Sequence, residues 1–214
     1  MVFKTSEYTG ELLNEVIFDH QIIEEKVFVA CTFKKCDFHE SQFKNCTFRD
    51  CRFEQCDLNL MTVDGSVFQN IFFEKTKMIG INWAKASWGK ASFHQLLKKI
   101  NFIECVINYN TFMGIKLDKI KMEKCIAKEV NFSNTDLTDS SLRYTDFSGT
   151  MFSHTNLTRT DFYKATNYNI DPVNNTLKKT RFILPEALSL LYNLDIELVS
   201  DQVEDEGDSN YPKN

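Results

Sequence analysis

The chemistry of this 214-residue chain is most visible in its seven cysteines. Thiols in this number could bind a metal or form disulfides, and three pairs are 20 positions apart: Cys31 and Cys51, Cys36 and Cys56, and Cys105 and Cys125. No Cys-x-x-Cys motif occurs. The N-terminus has no basic stretch followed by an apolar one, so we recognise no secretory signal and expect reduced thiols in the cytoplasm. We therefore predict small core residues, without a metal or a cofactor.

Other chemistry is sparse. The four histidines do not combine with serine or cysteine in any arrangement typical of nucleophilic catalysis, and we predict no catalytic residue and no enzyme. Only seven glycines are present, and neither G-x-G-x-x-G nor G-x-x-x-x-G-K occurs, which argues against a phosphate-binding loop. No run of 18 apolar residues exists, so no membrane contact is predicted.

A five-residue repeat explains where the cysteines lie. Counting in steps of five from Phe3 to Phe93 and, after one break, from Phe102 to Phe162, 17 of the 19 phenylalanines share one position, and Phe72 and Phe182 lie outside these runs. All seven cysteines lie two residues before that position. Neither a helix nor a strand has this period, but a chain that turns a corner every five residues has it. The predicted core therefore pairs large with small residues: Phe33, Phe38, Phe43, Phe48 and Phe53 with Cys31, Cys36, Cys46, Cys51 and Cys56.

Runs such as Cys36-Asp-Phe, Cys46-Thr-Phe and Thr145-Asp-Phe are similar to the repeats of the pentapeptide repeat family, over roughly residues 11 to 166. The resemblance implies an all-β fold, a right-handed quadrilateral parallel β-helix with four repeats per coil. Phe93 and Phe102 are nine apart rather than ten, which we interpret as one residue missing near 94–101. Counting coils under this fold brings His20 and His39 close to Glu40, but the pair has too few ligands for a zinc site.

The C-terminal part lacks the repeat, so we divide the chain into a β-helix over 1–166, a connector with a capping or dimerisation segment over 167–199, and a flexible acidic tail over 200–214. Pro185 and Glu186 suit the start of a short helix, and residues 195–199 alternate as a strand. An apolar set in this segment predicts a homodimer interface: Leu184, Leu188, Leu191, Leu194, Ile196 and Leu198. The alternative is that these residues only cap the last coil.

Within the family, the chain resembles the quinolone-resistance (Qnr-type) and microcin B immunity branch in length and layout. That resemblance implies a homodimeric DNA mimic that binds DNA gyrase or topoisomerase IV and confers fluoroquinolone resistance, without binding nucleic acid itself. The Qnr proteins carry loop insertions that contribute to drug protection. This chain is interpreted as missing one residue and not as carrying an insertion, which makes it more similar to relatives without these loops. Strong drug protection is therefore less expected.

The surface charge gives the expected binding face. Four acidic residues stack on one face of the early coils without basic neighbours: Asp19, Asp37, Glu40 and Asp57. Under the predicted register, this face turns basic at Lys77, Lys98, Lys99, Lys116 and Lys119, then acidic at Asp136 and Asp139. Such banding leaves two other hypotheses open: a pentapeptide-repeat scaffold with an unrelated target, or a toxin immunity protein without quinolone protection.

Overall fold

The computed structural model describes residues 3–88, 100–194 and 196–197. The chain forms a right-handed, four-sided β-helix whose coils stack through parallel ladders, as the repeat predicts. Each strand is short because the chain turns a corner every five residues. The strands are β1 (Glu7–Thr9), β2 (Leu12–Asn14), β3 (Ile22–Glu24), β4 (Val27–Val29), β5 (Thr32–Lys34), β6 (Gln42–Lys44), β7 (Thr47–Arg49), β8 (Arg52–Glu54), β9 (Val67–Gln69), β10 (Ile71–Glu74), β11 (Ile100–Ile103) and β12 (Lys121–Glu123).

Four faces result, which we name in chain order. Face A contains β1, β4, β7 and β9, and face B contains β2, β5, β8, β10, β11 and β12. Face D contains β3 and β6, while face C is joined by single bridges that run from Ile17 to Thr166. Residues 20 apart pair in register on adjacent coils, as Phe28 does with Phe48. Stacked coils of this kind are ~4.8 Å apart.

Two inward positions per repeat make the core. Phe33, Phe38, Phe43, Phe48 and Phe53 are buried, and each stacks on or packs edge-on against neighbouring rings. The small position is equally buried, and its side chain donates to a carbonyl of the preceding coil. The Ser41 hydroxyl donates to the Phe18 carbonyl at 2.6 Å, and the Cys46 thiol donates to the Ile23 carbonyl at 3.3 Å. Cys, Ser and Thr alternate in this position because each is small and can make this bond.

The register changes once along face B. Ile71 pairs with Ile100 and Phe73 with Phe102, an offset of 29 positions instead of 20. The coil between these strands therefore contains nine extra residues, and the prediction of one missing residue is wrong. Residues 89–99, which include most of the predicted break, lie outside the described residues. The ladders on both sides of the change are regular, since Asp57 pairs with Lys77 before it and Val106 with Ile126 after it.

Coiling continues beyond residue 166, where the sequence pattern fades. Asp161 pairs with Arg181, and the Phe182 ring stacks on Phe162 at 5.2 Å, so Phe182 occupies a regular core position. The predicted C-terminal helix is a 3-10 helix over Glu186–Asn193, and a second short one covers Trp83–Lys85. Ile196 and Glu197 are not in a strand, and the rest of the predicted strand and the acidic tail lie outside the described residues. Within the described residues, no helix is long and apolar enough to cross a membrane.

Candidate partner-binding face

The cysteine thiols are inward and closed to solvent. All seven are free and buried. Burial raises the pKa of Cys51 to about 12, and it also raises the pKa of Cys46. In the pair formed by Cys36 and Cys56, the interaction between the two thiols lowers the pKa of Cys36 and raises that of Cys56. Groups of three or more histidine, cysteine, aspartate or glutamate side chains that could hold a metal are absent from the described residues. All seven thiols are part of the buried core.

Face C brings together the four acidic residues predicted to bind a partner, but in two different environments. Asp37 and Asp57 pair across adjacent coils, and each carboxylate accepts the backbone N–H two residues ahead at 2.9 Å. Both side chains are therefore half-buried and fixed by the turn. Because adjacent coils are ~4.8 Å apart, these two like charges stay close to each other in the folded chain.

Asp19 and Glu40 instead lie beside two histidines, His20 and His39. His20 Nδ1 is 3.1 Å from Glu40 Oε2, and His39 Nε2 is 3.3 Å from Glu40 Oε1. His20 Nε2 is 3.4 Å from Asp19 Oδ1, a buried oxygen that has no hydrogen-bond donor in the described chain. The predicted proximity of His20, His39 and Glu40 is therefore confirmed. Glu40 occupies a corner with φ 52°, where its side chain projects outward with 44% of its surface exposed.

The register change alters the charge pattern that the sequence predicts for face C. Lys116, Lys119, Asp136 and Asp139 lie on face A, so the prediction that they form basic and acidic bands of face C is wrong. Lys98 and Lys99 lie outside the described residues. Beyond Lys77 the face continues through Val106, Ile126 and Asp146. In the described residues its outward positions carry six carboxylates and two lysines: Asp19, Asp37, Glu40, Asp57, Glu129 and Asp146, against Lys77 and Lys128.

Asp146 is an acidic residue of this face that the sequence-based count missed. Burial opposes its ionisation, but hydrogen bonds from Ser148 and Asn167 prevail and lower the pKa of Asp146. Lys128 is 3.6 Å away and partly offsets the charge. The signal that would have revealed Asp146 and Glu129 is the length of the one coil that contains the register change, which the five-residue period does not supply.

Face B differs because its first half, from Glu15 to Glu104, is neutralised by ion pairs between adjacent coils. Lys35 contacts Glu15 at 3.0 Å, Arg52 contacts Glu74 at 3.8 Å, and Lys75 contacts Glu104 at 3.9 Å. Such exposed pairs contribute little stability, typically 0–1 kcal/mol, but they cancel the charge that a partner would encounter. The excess of carboxylates on face C is therefore a property of that face and not of the whole rod.

The C-terminal segment presents apolar side chains to solvent. Leu184, Leu188 and Ile196 expose 71%, 45% and 53% of their surface. Leu191 and Leu194 are half-buried, and Leu198 lies outside the described residues. The half-buried residues of the segment that pack against the core are Leu177, Phe182 and Leu190, which the sequence did not assign to capping. The segment thus covers the last coil with one set of side chains and exposes another.

Inward positions that repeat every five residues around four sides define this chain as a quadrilateral parallel β-solenoid. Residues 26–112 match the family described as pentapeptide repeat region, and residues 131–166 match pentapeptide repeats in 8 copies. The chain belongs to the pentapeptide repeat family. Comparison with curated proteins finds no match.

Solved structures support the same fold. A trypsin-treated variant of QnrB1, a plasmid-mediated fluoroquinolone resistance protein, is 18% identical with a TM-score of 0.67, over 91% of this chain and 99% of that chain. A second trypsin-treated QnrB1 variant is 18% identical with a TM-score of 0.66, over 90% of this chain and 97% of that chain. At this identity the likeness establishes the fold alone.

Proposed function

We propose that the protein is a non-enzymatic DNA mimic that binds a type II topoisomerase, DNA gyrase or topoisomerase IV, through face C. The observation that carries the proposal is the excess of carboxylates on this face, six against two lysines. A surface that replaces DNA must present negative charge to a groove built for phosphates. Asp19, Asp37, Glu40 and Asp57 supply this charge in the early coils, and Glu129 and Asp146 supply it further along.

Protection from fluoroquinolones is the activity we propose for the complex. QnrB1 is named as a fluoroquinolone resistance protein, and its fold extends over nearly the full length of this chain. The nine extra residues in one coil also remove the reason for placing this chain with relatives that lack insertions. A homodimer joined through the exposed apolar side chains of the C-terminal segment would extend the acidic face into a longer rod.

The test is a gyrase supercoiling assay with purified protein, titrated with and without ciprofloxacin. We expect supercoiling to be restored in the presence of the drug. Glu40→Lys with Glu129→Lys reverses two charges at exposed corners of face C, and we expect about tenfold weaker protection, equivalent to ~1.4 kcal/mol. The matched control is Glu7→Lys with Glu25→Lys, which makes the same change in net charge at exposed positions of faces A and D.

Three outcomes separate the hypotheses. Equal loss in both double variants would mean that net charge, not face C, determines binding. Inhibition of supercoiling without drug protection would favour a DNA mimic that counters a different agent, such as a toxin. Absence of any effect at micromolar protein would contradict topoisomerase binding and favour a scaffold for an unrelated target.

A further inference from the structure

The second half of face B differs from the first in charge and in aromatic content. Its outward positions carry five cations and two carboxylates: Lys121, Lys124, Arg143, Lys164 and Arg181, against Glu123 and Asp161. The first half carries four of each: Lys34, Lys35, Arg52 and Lys75, against Glu15, Glu54, Glu74 and Glu104. Two tyrosines, Tyr144 and Tyr163, lie among the excess cations. We name these two tyrosines with Arg143, Lys164 and Arg181 the tyrosine–cation patch.

Side-chain contacts hold this patch in place. The Tyr144 and Tyr163 rings meet edge to face with centroids 5.7 Å apart. The Arg143 guanidinium lies 4.8 Å from the Tyr163 ring centroid, and Lys164 Nζ lies 5.7 Å from Tyr144 and 5.6 Å from Tyr163. Arg143 and Lys164 are therefore each placed beside an aromatic ring, an arrangement that keeps long side chains ordered before a ligand arrives.

Asp161 orients the arginines but does not neutralise the patch. Its carboxylate lies 3.7 Å from Arg143 Nε and 3.2 Å from Arg181 Nη1, so one negative charge faces two guanidinium groups. Arg143 Nε also has no hydrogen-bond acceptor in the described residues. Within the part of the chain that the structure describes, Lys164 forms no ion pair with a carboxylate. The patch therefore retains donors and positive charge for an anionic ligand.

The exposed ring adds a second kind of contact. Tyr144 exposes 44% of its surface. Alternating cations and aromatic rings are how proteins bind single-stranded nucleic acid, with phosphates beside the cations and unstacked bases on the rings. In a duplex the faces of the bases are already stacked and would not reach Tyr144. The four coils from Lys121 to Arg181 span about 14 Å at ~4.8 Å per step, which suits a short single-stranded segment.

We infer that the tyrosine–cation patch is a binding surface for single-stranded nucleic acid. This departs from the sequence-based prediction of no direct contact with nucleic acid. It does not rest on the proposed topoisomerase binding, which uses face C. Single-stranded nucleic acid is favoured over an acidic protein segment because a carboxylate-rich partner would use the cations but would gain nothing from the exposed aromatic ring.

The experiment is fluorescence anisotropy of the full chain with a labelled twelve-nucleotide oligothymidine at about 50 mM salt, without topoisomerase. We expect measurable binding whose logarithmic salt dependence has a slope of about −2 to −3, from three to four phosphates at about −0.7 each. Tyr144→Ala is expected to weaken binding at least fivefold, because stacking of one base contributes about 1–3 kcal/mol. Arg143→Ala with Lys164→Ala is expected to reduce the slope by about 1.4, for two lost phosphate contacts.

Matched controls come from the first half of the same face. Phe72 is half-buried, with the Arg52 guanidinium 4.5 Å from its ring centroid, but its surroundings are neutral. Phe72→Ala and the double variant Lys34→Ala with Lys35→Ala should leave binding unchanged. The inference would be overturned by absence of binding at low salt, by equal affinity for a duplex, by equal competition from polyglutamate, or by Tyr144→Ala and Phe72→Ala having the same effect.

Discussion

Phe48 offers the sharpest test of how the coils are held together. It is 1% exposed, and its ring stacks on Phe28 at 4.9 Å and on Phe68 at 5.1 Å, one coil on each side. Phe48→Ala removes the ring from a column that its neighbours cannot close without shifting their own coils. We therefore expect a loss in the usual range for a buried Phe→Ala, about 3–5 kcal/mol in the free energy of unfolding.

Phe72→Ala is the matched control, since it makes the same substitution at an outward, half-buried position beside Arg52. A cation–π contact of this kind contributes about 0.5–1 kcal/mol, so the expected loss is about 1 kcal/mol. The measurement is urea unfolding followed by circular dichroism, with thermal unfolding in parallel. At 2–4 °C per kcal/mol for a chain of this size, Phe48→Ala should lower Tm by about 6–20 °C. Equal losses at Phe48 and Phe72 would refute the assignment of inward and outward positions.

Further predictions concern the thiols, one surface ion pair and the C-terminal segment. Burial raises the pKa of Cys51 to about 12, so iodoacetamide at pH 8 should leave Cys51 unmodified in the native chain and alkylate it in denaturant. Mass spectrometry measures the modification, and alkylation of native Cys51 at the rate seen in denaturant would contradict the prediction. Arg159 donates two hydrogen bonds to Asp139, at 2.5 and 2.7 Å, and lowers its pKa. The pair therefore stabilises the fold above the unfolded-state pKa of Asp139 and loses this contribution as pH falls through the folded-state pKa. Arg159→Ala should raise the Asp139 pKa in an NMR titration, and an unchanged pKa would contradict the pairing. Leu184→Asp with Leu188→Asp changes two exposed side chains, so it should convert a dimer to a folded monomer in light scattering; a dimer that persists would remove these residues from the interface.

The inward half of this fold is predictable from the sequence because it obeys a strict period. Phe33, Cys31 and their equivalents are predicted correctly, since only two positions in five face the core and each accepts a narrow range of sizes. The hydrogen bond from the small side chain to the preceding coil is not visible in the sequence. Exposed Glu11 and Gln21 occupy this position in the first coil, where no preceding coil is described to cover them.

The face on which each residue beyond 88 lies could not be predicted from the five-residue period. This period fixes the phase of the repeat, but it does not show whether one coil contains additional repeats. One missing residue and nine extra residues shift that phase equally, because they differ by ten, which is two repeats. The same ten residues are half a coil, so Lys116 and Asp136 were assigned to face C when they lie on the opposite face A. Phe182 was left out of the predicted core for a related reason. The buried residues that precede it, Tyr168 and Ile170, do not lie at the positions that the five-residue period gives.

The division between inward and outward positions also limits what likeness to other solenoids can establish. At the inward positions Phe, Leu, Met and Ile replace one another, as do Cys, Ser and Thr, so two such rods can share their fold at 18% identity. The three outward positions of each repeat are free of this constraint, and they form columns in which side chains from successive coils lie ~4.8 Å apart. A partner therefore contacts side chains of several coils that lie in one column, and not a continuous segment of the sequence. Face C and the tyrosine–cation patch differ only in the side chains of such columns. Substitutions that change one column and leave its neighbours intact therefore decide between the functions proposed for these two surfaces.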